Sequence, residues 1–479
     1  MRSTLVWSLI AGVGLLGCGD DEEEKVACDP VANTGCEDGQ VCEQVEGGEP
    51  ACFAPLTVTG RVIDLADEAG IEGAQVVALD VNGGARSTVA VTGEGGAYTI
   101  RLPAARNAEG QPLGDSFTLS ASAAGYAFFP EPPREALPIS IDDADVGEGD
   151  AHVIETSATT IGLIGLDAGA GEGRISGSIA HEAAPGALVL AVVGDRAVSR
   201  ANADTEGNFT LFNVPGGAVS VEAYLAGLNI EPETVTLADG GEEEGVELAA
   251  STEGLVTISG SVNIVNAAGG LTTSVILALE STFNEDVKRG IAPAGLRVAD
   301  VSGAFMIEGV APGRYVALAA FENDALVRDP DEGIAGTDIV HLTVDGSERE
   351  VALEQSFKVT GSLDMLDPMS VDGELPILPV AADPTFAWAD DSSEDGYEVR
   401  IYDAFGRVVH EATDLPGVSG SSEVTYTWQG AELEHGMVYQ VRAWSFREGR
   451  ASGGGRSYIS ATEDLRGAFL VGSEVEENE

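Results

Sequence analysis

The chain has 479 residues, 44% of them hydrophobic, so several cores can be buried, and length alone leaves room for three to five domains. Its formal net charge is −56, with Lys25, Lys288 and Lys358 as the only lysines. Acidity on this scale repels phosphate backbones and anionic headgroups, which excludes nucleic acid as a partner and opposes direct adsorption to anionic lipid. It suits a soluble exported protein or a salt-rich habitat where charge is screened.

Residues 1–17 read as a targeting segment. Arg2 supplies a positive start, residues 5–14 are apolar, and Leu15-Leu16-Gly17-Cys18 follows. The apolar run is too short to span a bilayer as a helix. The Leu-x-Gly-Cys ending resembles the bacterial lipoprotein box. That resemblance implies cleavage before Cys18 and lipidation of its sulfur and new amino group, hence a partner in the membrane itself. Gly19, rather than Asp, after the cysteine leans toward the outer membrane of the cell envelope. Residues 18–27 then form an acidic tether.

Residues 28–53 hold Cys28, Cys36, Cys42 and Cys52. Four cysteines in an exported segment read as two disulfides, with three pairings open. A zinc site is the rival, but the spacings exceed the usual knuckle and no histidine lies nearby. The run from Gly35 through Cys36-Glu37-Asp38-Gly39 to Cys42 resembles small Cys-rich modules that follow the anchor in bacterial lipoproteins.

Beyond Cys52 the chain repeats a plan. Val58-Thr59-Gly60-Arg61-Val62, Ile175-Ser176-Gly177-Ser178-Ile179 and Ile258-Ser259-Gly260-Ser261-Val262 each alternate apolar with small or polar residues, the period of a half-buried strand. Each opener is followed by a turn and a Gly-x-aromatic or Gly-aromatic-type pair: Gly96-Ala97-Tyr98, Gly207-Asn208-Phe209, Gly303-Ala304-Phe305. Val359-Thr360-Gly361-Ser362-Leu363 opens a fourth unit that departs from the plan. The openers recur about every hundred residues, the size of a two-sheet sandwich rather than a solenoid repeat.

This order of motifs, closing on Pro215-Gly216 and on Pro312-Gly313-Arg314-Tyr315, resembles the carboxypeptidase regulatory-like domain. The resemblance covers residues 56–354 and implies transthyretin-like β-sandwiches without catalytic residues. It places sandwiches at 56–157, 174–250 and 255–354, with 160–173 as a linker or edge strand. Residues 357–471 change character. Pro384-Thr385-Phe386-Ala387-Trp388 and Leu433-Glu434-His435-Gly436-Met437-Val438-Tyr439 resemble a fibronectin type III domain, which implies a core role for Trp388 and a tyrosine-corner role for Tyr439. Residues 472–479 form an acidic tail. The fold class is therefore all-β, tandem β-sandwiches of transthyretin-like and Ig-like type.

No nucleophile elbow, P-loop or dinucleotide fingerprint is present. The five histidines are scattered over different domains. His152-Val153-Ile154-Glu155 matches the His-x-x-Glu of zinc carboxypeptidases, but it sits in an alternating strand and reads as a chance match. No cofactor is implied. Calcium is the metal to weigh: Asp324, Asp329, Asp331, Glu332 and Asp338 crowd one insertion, and Asp390, Asp391, Glu394 and Asp395 crowd a turn, neither with EF-hand spacing. Carbohydrate binding needs exposed aromatic platforms, for which Trp428 and Trp444 are the candidates, against the general tendency of strand tryptophans to be buried. Taken together, the residues point to a non-enzymatic, lipid-anchored envelope protein: four sandwiches projecting as a rod, with a structural or adhesive role toward an envelope protein or polysaccharide. A carbohydrate-binding accessory protein is the alternative.

Overall fold

The computed structural model describes residues 28–30, 32–147, 151–265, 272–319, 326–327, 339–371, 373–380, 383–449 and 455–472. Cys18 and the five acidic residues from Asp324 to Asp338 lie outside them.

Alternation builds the sheets. In the strand Val256–Val265, Val256, Ile258 and Val262 are buried while the residues between them stay partly exposed. Three sandwiches share one plan around such an opening strand. Leu56–Asp64, Gly173–Ile179 and Val256–Val265 each lie between two partners in one sheet. On one side runs the aromatic-bearing strand, antiparallel: Ala97–Leu102, Asn208–Val214 or Ala304–Val310. On the other side runs the closing strand, parallel: His152–Ile154 with Thr160–Leu163, Glu242–Leu248, or Glu350–Gly361. A parallel first-to-last pair requires a crossover, and the intervening strands supply it by forming the facing sheet. The central facing strands are Gln75–Leu79, Leu188–Val193 and Thr273–Leu279. The segment read as a linker or edge strand after residue 157 is partly strand, since Thr160–Leu163 pairs with the outer half of the first opener.

The repeated glycine has a packing reason. Gly60, Gly177 and Gly260 stand in register with Tyr98, Phe209 and Phe305. A Cβ on Gly60 would meet the Tyr98 hydroxyl at 2.6 Å, and one on Gly260 would meet Phe305 Cζ at 2.6 Å. At Gly60 and Gly177 a backbone carbonyl stands closer still, Thr159 O at 2.0 Å and Val246 O at 2.1 Å, so the missing side chain makes room for both the ring and the neighbouring backbone.

The fourth opener is placed differently from the sequence expectation. Phe357, Lys358, Val359 and Thr360 continue the third sandwich, pairing with Val262, Asn263, Ile264 and Val265. Phe357 and Val359 are buried in the core of that sandwich. A single 12-residue strand was long enough to serve the whole of its 10-residue partner. The last sandwich then packs Met365–Asp367, Thr385–Ala389 and Glu423–Thr427 against a larger sheet centred on Gly396–Asp403 and Val438–Arg447. Trp388 is fully buried there, and the Tyr439 hydroxyl accepts the Glu434 N–H at 3.0 Å.

The Cys-rich segment is a small knob with a two-stranded sheet, Val41–Glu43 and Ala51–Phe53. Its disulfides are Cys28–Cys42 and Cys36–Cys52, which settles the pairing. These same sulfurs account for the one close cluster of potential metal ligands among the described residues, Cys28, Cys36 and Cys52.

The sandwiches do not project end to end. Leu188, Leu190 and Val192 of the second share a core cluster with the third. Leu65 and Ile164 of the first pack into the core of the fourth. Val287 of the third joins Tyr402 and Trp444 of the fourth. The expected rod is thus replaced by a folded-back cluster, because apolar side chains of strands and loops alike found cover between domains that strand patterning cannot anticipate.

Candidate functional site: a cleft where four sandwiches meet

The loop that follows the strand Thr118–Ser122 carries Tyr126, Phe128 and Glu131. Asn213, from the second sandwich, holds it. Asn213 sits at φ 59°, a left-handed conformation that asparagine tolerates better than most residues. Its Oδ1 accepts the Gly125 N–H at 2.6 Å, and its Nδ2 donates to the carbonyls of Ala123 (3.1 Å) and Tyr126 (3.0 Å). The Tyr126 hydroxyl donates to Asp64 Oδ2 at 3.0 Å. Burial, and then the Asp64 carboxylate, push that phenol up to about 12.

Arg200 projects from the strand Arg196–Asn202 into the same place. Its guanidinium lies 4.4 Å from the Phe128 ring centroid. Nη2 donates to the Pro130 carbonyl at 2.7 Å and stands 3.5 Å from the Glu131 carboxylate. The Arg200 side chain is 10% exposed, against 47% for Glu131. Nε is buried with no hydrogen-bond partner. Burial lowers the arginine's pKa, and Glu131 opposes that shift. Around this group Leu190 and Phe212 of the second sandwich, Ile291 of the third and Phe405 of the fourth close a cleft of about 190 Å³. Its lining mixes aromatic and aliphatic side chains with Ser122, Glu131, Ser199, Asn213 and Thr282, and Arg200 is its one cation.

The residues singled out from sequence do not gather here. Trp428 and Trp444 are 6% and 7% exposed, so neither forms a surface platform. Trp428 packs edge-on against Phe386 and donates its indole N–H to the Ala431 carbonyl at 2.8 Å. Trp444 has the guanidiniums of Arg400 and Arg442 5.4 and 4.8 Å from its ring centroid and packs with Val287 of the neighbouring sandwich. The expectation fails because a large ring on a strand finds apolar cover, here partly from another domain. His152 and Glu155 lie apart: His152 is buried with Nδ1 3.2 Å from Arg106 Nη1, while Glu155 is exposed and accepts from the Thr59 hydroxyl. The acidic turn at 390–395 is held by internal bonds, Asp390 to the Tyr397 hydroxyl and Asp391 to the Ser445 hydroxyl. Beyond the disulfide sulfurs, no three His, Cys, Asp or Glu side chains among the described residues converge to hold a metal. Arg200, Phe128 and Asn213 carry no motif. The one sequence signal near them is the aromatic, Pro-rich run Phe128-Phe129-Pro130-Glu131-Pro132-Pro133.

These features define an all-β protein of tandem β-sandwiches with a cleft shared among the domains. No family model matches the chain, and no curated protein matches it. Among solved structures, the Bacillus anthracis TIE protein is similar over 86% of this chain and 72% of its own, at 11% identity and a TM-score of 0.15. A streptococcal ancillary pilin is similar over 64% of this chain and 98% of its own, at 12% identity and a TM-score of 0.17. A tetra-tandem repeat from the extending region of a large adhesion protein is similar over 87% of this chain and 99% of its own, at 14% identity and a TM-score of 0.14. Likeness at these values carries no argument about what this chain does.

Proposed function

We propose that this chain is a non-enzymatic, lipid-anchored protein of the cell envelope, held at the outer membrane through Cys18, with a structural or adhesive binding role. The observation that carries the binding role is the cleft: four sandwiches, remote in sequence, are spent on framing one concavity. The lipoprotein-like Leu15-Leu16-Gly17-Cys18 supports the anchor, and the disulfide-bonded knob suits an oxidising compartment. Regulatory-like identity for the first three sandwiches is part of the proposal, supported by the three glycine–aromatic pairs. Fibronectin type III-like identity for the fourth is supported by the buried Trp388 and the Tyr439 hydroxyl bond.

Two measurements test it. Cys18→Ala is expected to move the chain from the membrane fraction to the soluble fraction; a variant still pelleting with membranes removes the anchor. Protease shaving of intact cells, with mass spectrometry of released peptides against a protected periplasmic control, is expected to release peptides from residues 174–471. If all of them stay protected until the outer membrane is opened, the adhesive reading gives way to a periplasmic scaffold.

A further inference from the structure

Several of the larger polar groups around the cleft are spent within the fold. Asn213 and Tyr126 have their hydrogen bonds satisfied internally. Thr282 does too, donating to the Leu279 carbonyl and accepting the Ile291 N–H. Arg200 does not. A guanidinium has five donors. Here Nη2 serves Pro130 and Glu131, Nε has no partner, and the balancing carboxylate is half exposed at 3.5 Å. A desolvated cation balanced only by a half-exposed carboxylate at 3.5 Å favours an anion brought to it, most of all a carboxylate. The wall facing it carries Phe128, Phe212, Phe405 and Leu190, with Ser122 and Ser199 as small polar residues beside them. Its volume, about 190 Å³, suits a molecule of one ring; an apolar cavity of ~150 Å³ takes benzene.

We propose that the cleft binds a small organic monocarboxylate with a single-ring or similarly compact apolar body. The carboxylate sits on Arg200, displacing Glu131 toward solvent, and the body packs against Phe212 and Phe405. The net charge of −56 opposes anions at long range, but at physiological salt that field is screened within about 8 Å and the local guanidinium decides. The inference rests on the binding half of the proposed function and not on the anchor. Membrane fractionation and shaving read the anchor and its face without any ligand, so the two fail separately.

The test titrates the intact chain with sodium benzoate and, in parallel, with benzyl alcohol, its near-isosteric neutral analogue, followed by calorimetry or NMR. Benzoate is expected to bind saturably in the millimolar range or tighter, and benzyl alcohol about tenfold or more weaker, as a charge-assisted bond requires. Arg200→Gln is expected to remove that preference, and Glu131→Gln to tighten benzoate by removing the competing carboxylate. Arg200 is buried, so its variant risks misfolding. Val198→Trp guards against this, because Val198 is 41% exposed on the cleft wall and an indole there fills the cavity. That variant is expected to lose benzoate while keeping its melting behaviour. Equal affinity for the two probes, benzoate binding retained in Val198→Trp, or no saturable benzoate binding each overturns the proposal.

Discussion

Arg106 shows how much a single side chain can organise. It is 1% exposed and bonds Glu43 of the knob through Nε, Gly110 through Nη1 and the Ala54 carbonyl through Nη2. It thereby stitches the disulfide knob to the first sandwich. Burial raises the Glu43 pKa above its ordinary 4.5, outweighing the pull of Arg106 in the other direction. A carboxyl with a raised folded pKa contributes stability that is complete below its ordinary value and lost as pH rises through the raised one. Glu43→Gln abolishes that loss, so its stability relative to the parent is expected to increase as pH rises from acid toward neutral, measured by urea unfolding. Glu43→Ala instead strands a buried guanidinium and is expected to cost about 3–5 kcal/mol. An unchanged midpoint in Glu43→Ala would show that the knob does not depend on this pair.

The element that defines the repeat is the opening strand with its glycine. At Gly260 the nearest obstacles to a Cβ are side-chain atoms only, Phe305 at 2.6 and 2.8 Å and Leu353 at 3.5 Å. Gly260→Ala is therefore expected to destabilise by about 1–3 kcal/mol through overpacking. Shortening the ring should relieve it: Phe305→Leu costs less in the Gly260→Ala background than in the parent, a coupling readable from a double-mutant cycle. Strict additivity would sink the pairing. The glycine and the aromatic were each visible in sequence as parts of a motif. That they face each other across one antiparallel register emerged only from the sheet.

At the scale of the molecule, the sandwiches fold back on one another. Arg289 of the third bonds Gln440 of the fourth, and Arg407 of the fourth bonds Asp167 between the first two. Surface pairs of the second kind contribute little, about 0–1 kcal/mol; the shared apolar clusters carry the arrangement. Small-angle scattering is expected to give a radius of gyration of about 23 Å, the value for a single compact body of this length. A markedly larger radius, with a rod-like cross-section, would break the cluster and with it the four-walled cleft.

Strand alternation, recurrent glycines and cysteine parity are local properties, so the all-β class, the repeat and the expectation of two disulfides were legible residue by residue. The disulfide pairing, the transfer of residues 357–360 to the third sandwich, the burial of Trp428 and Trp444, and the meeting of Arg200 with Phe128 and Glu131 were not. Each depends on which surfaces come together after the strands have formed, and a period of two along a strand says which face turns inward but nothing of what covers it. Apolar cover across domains and a desolvated charge that finds its neighbours there belong to the packed chain alone, and it is there that the cleft was made.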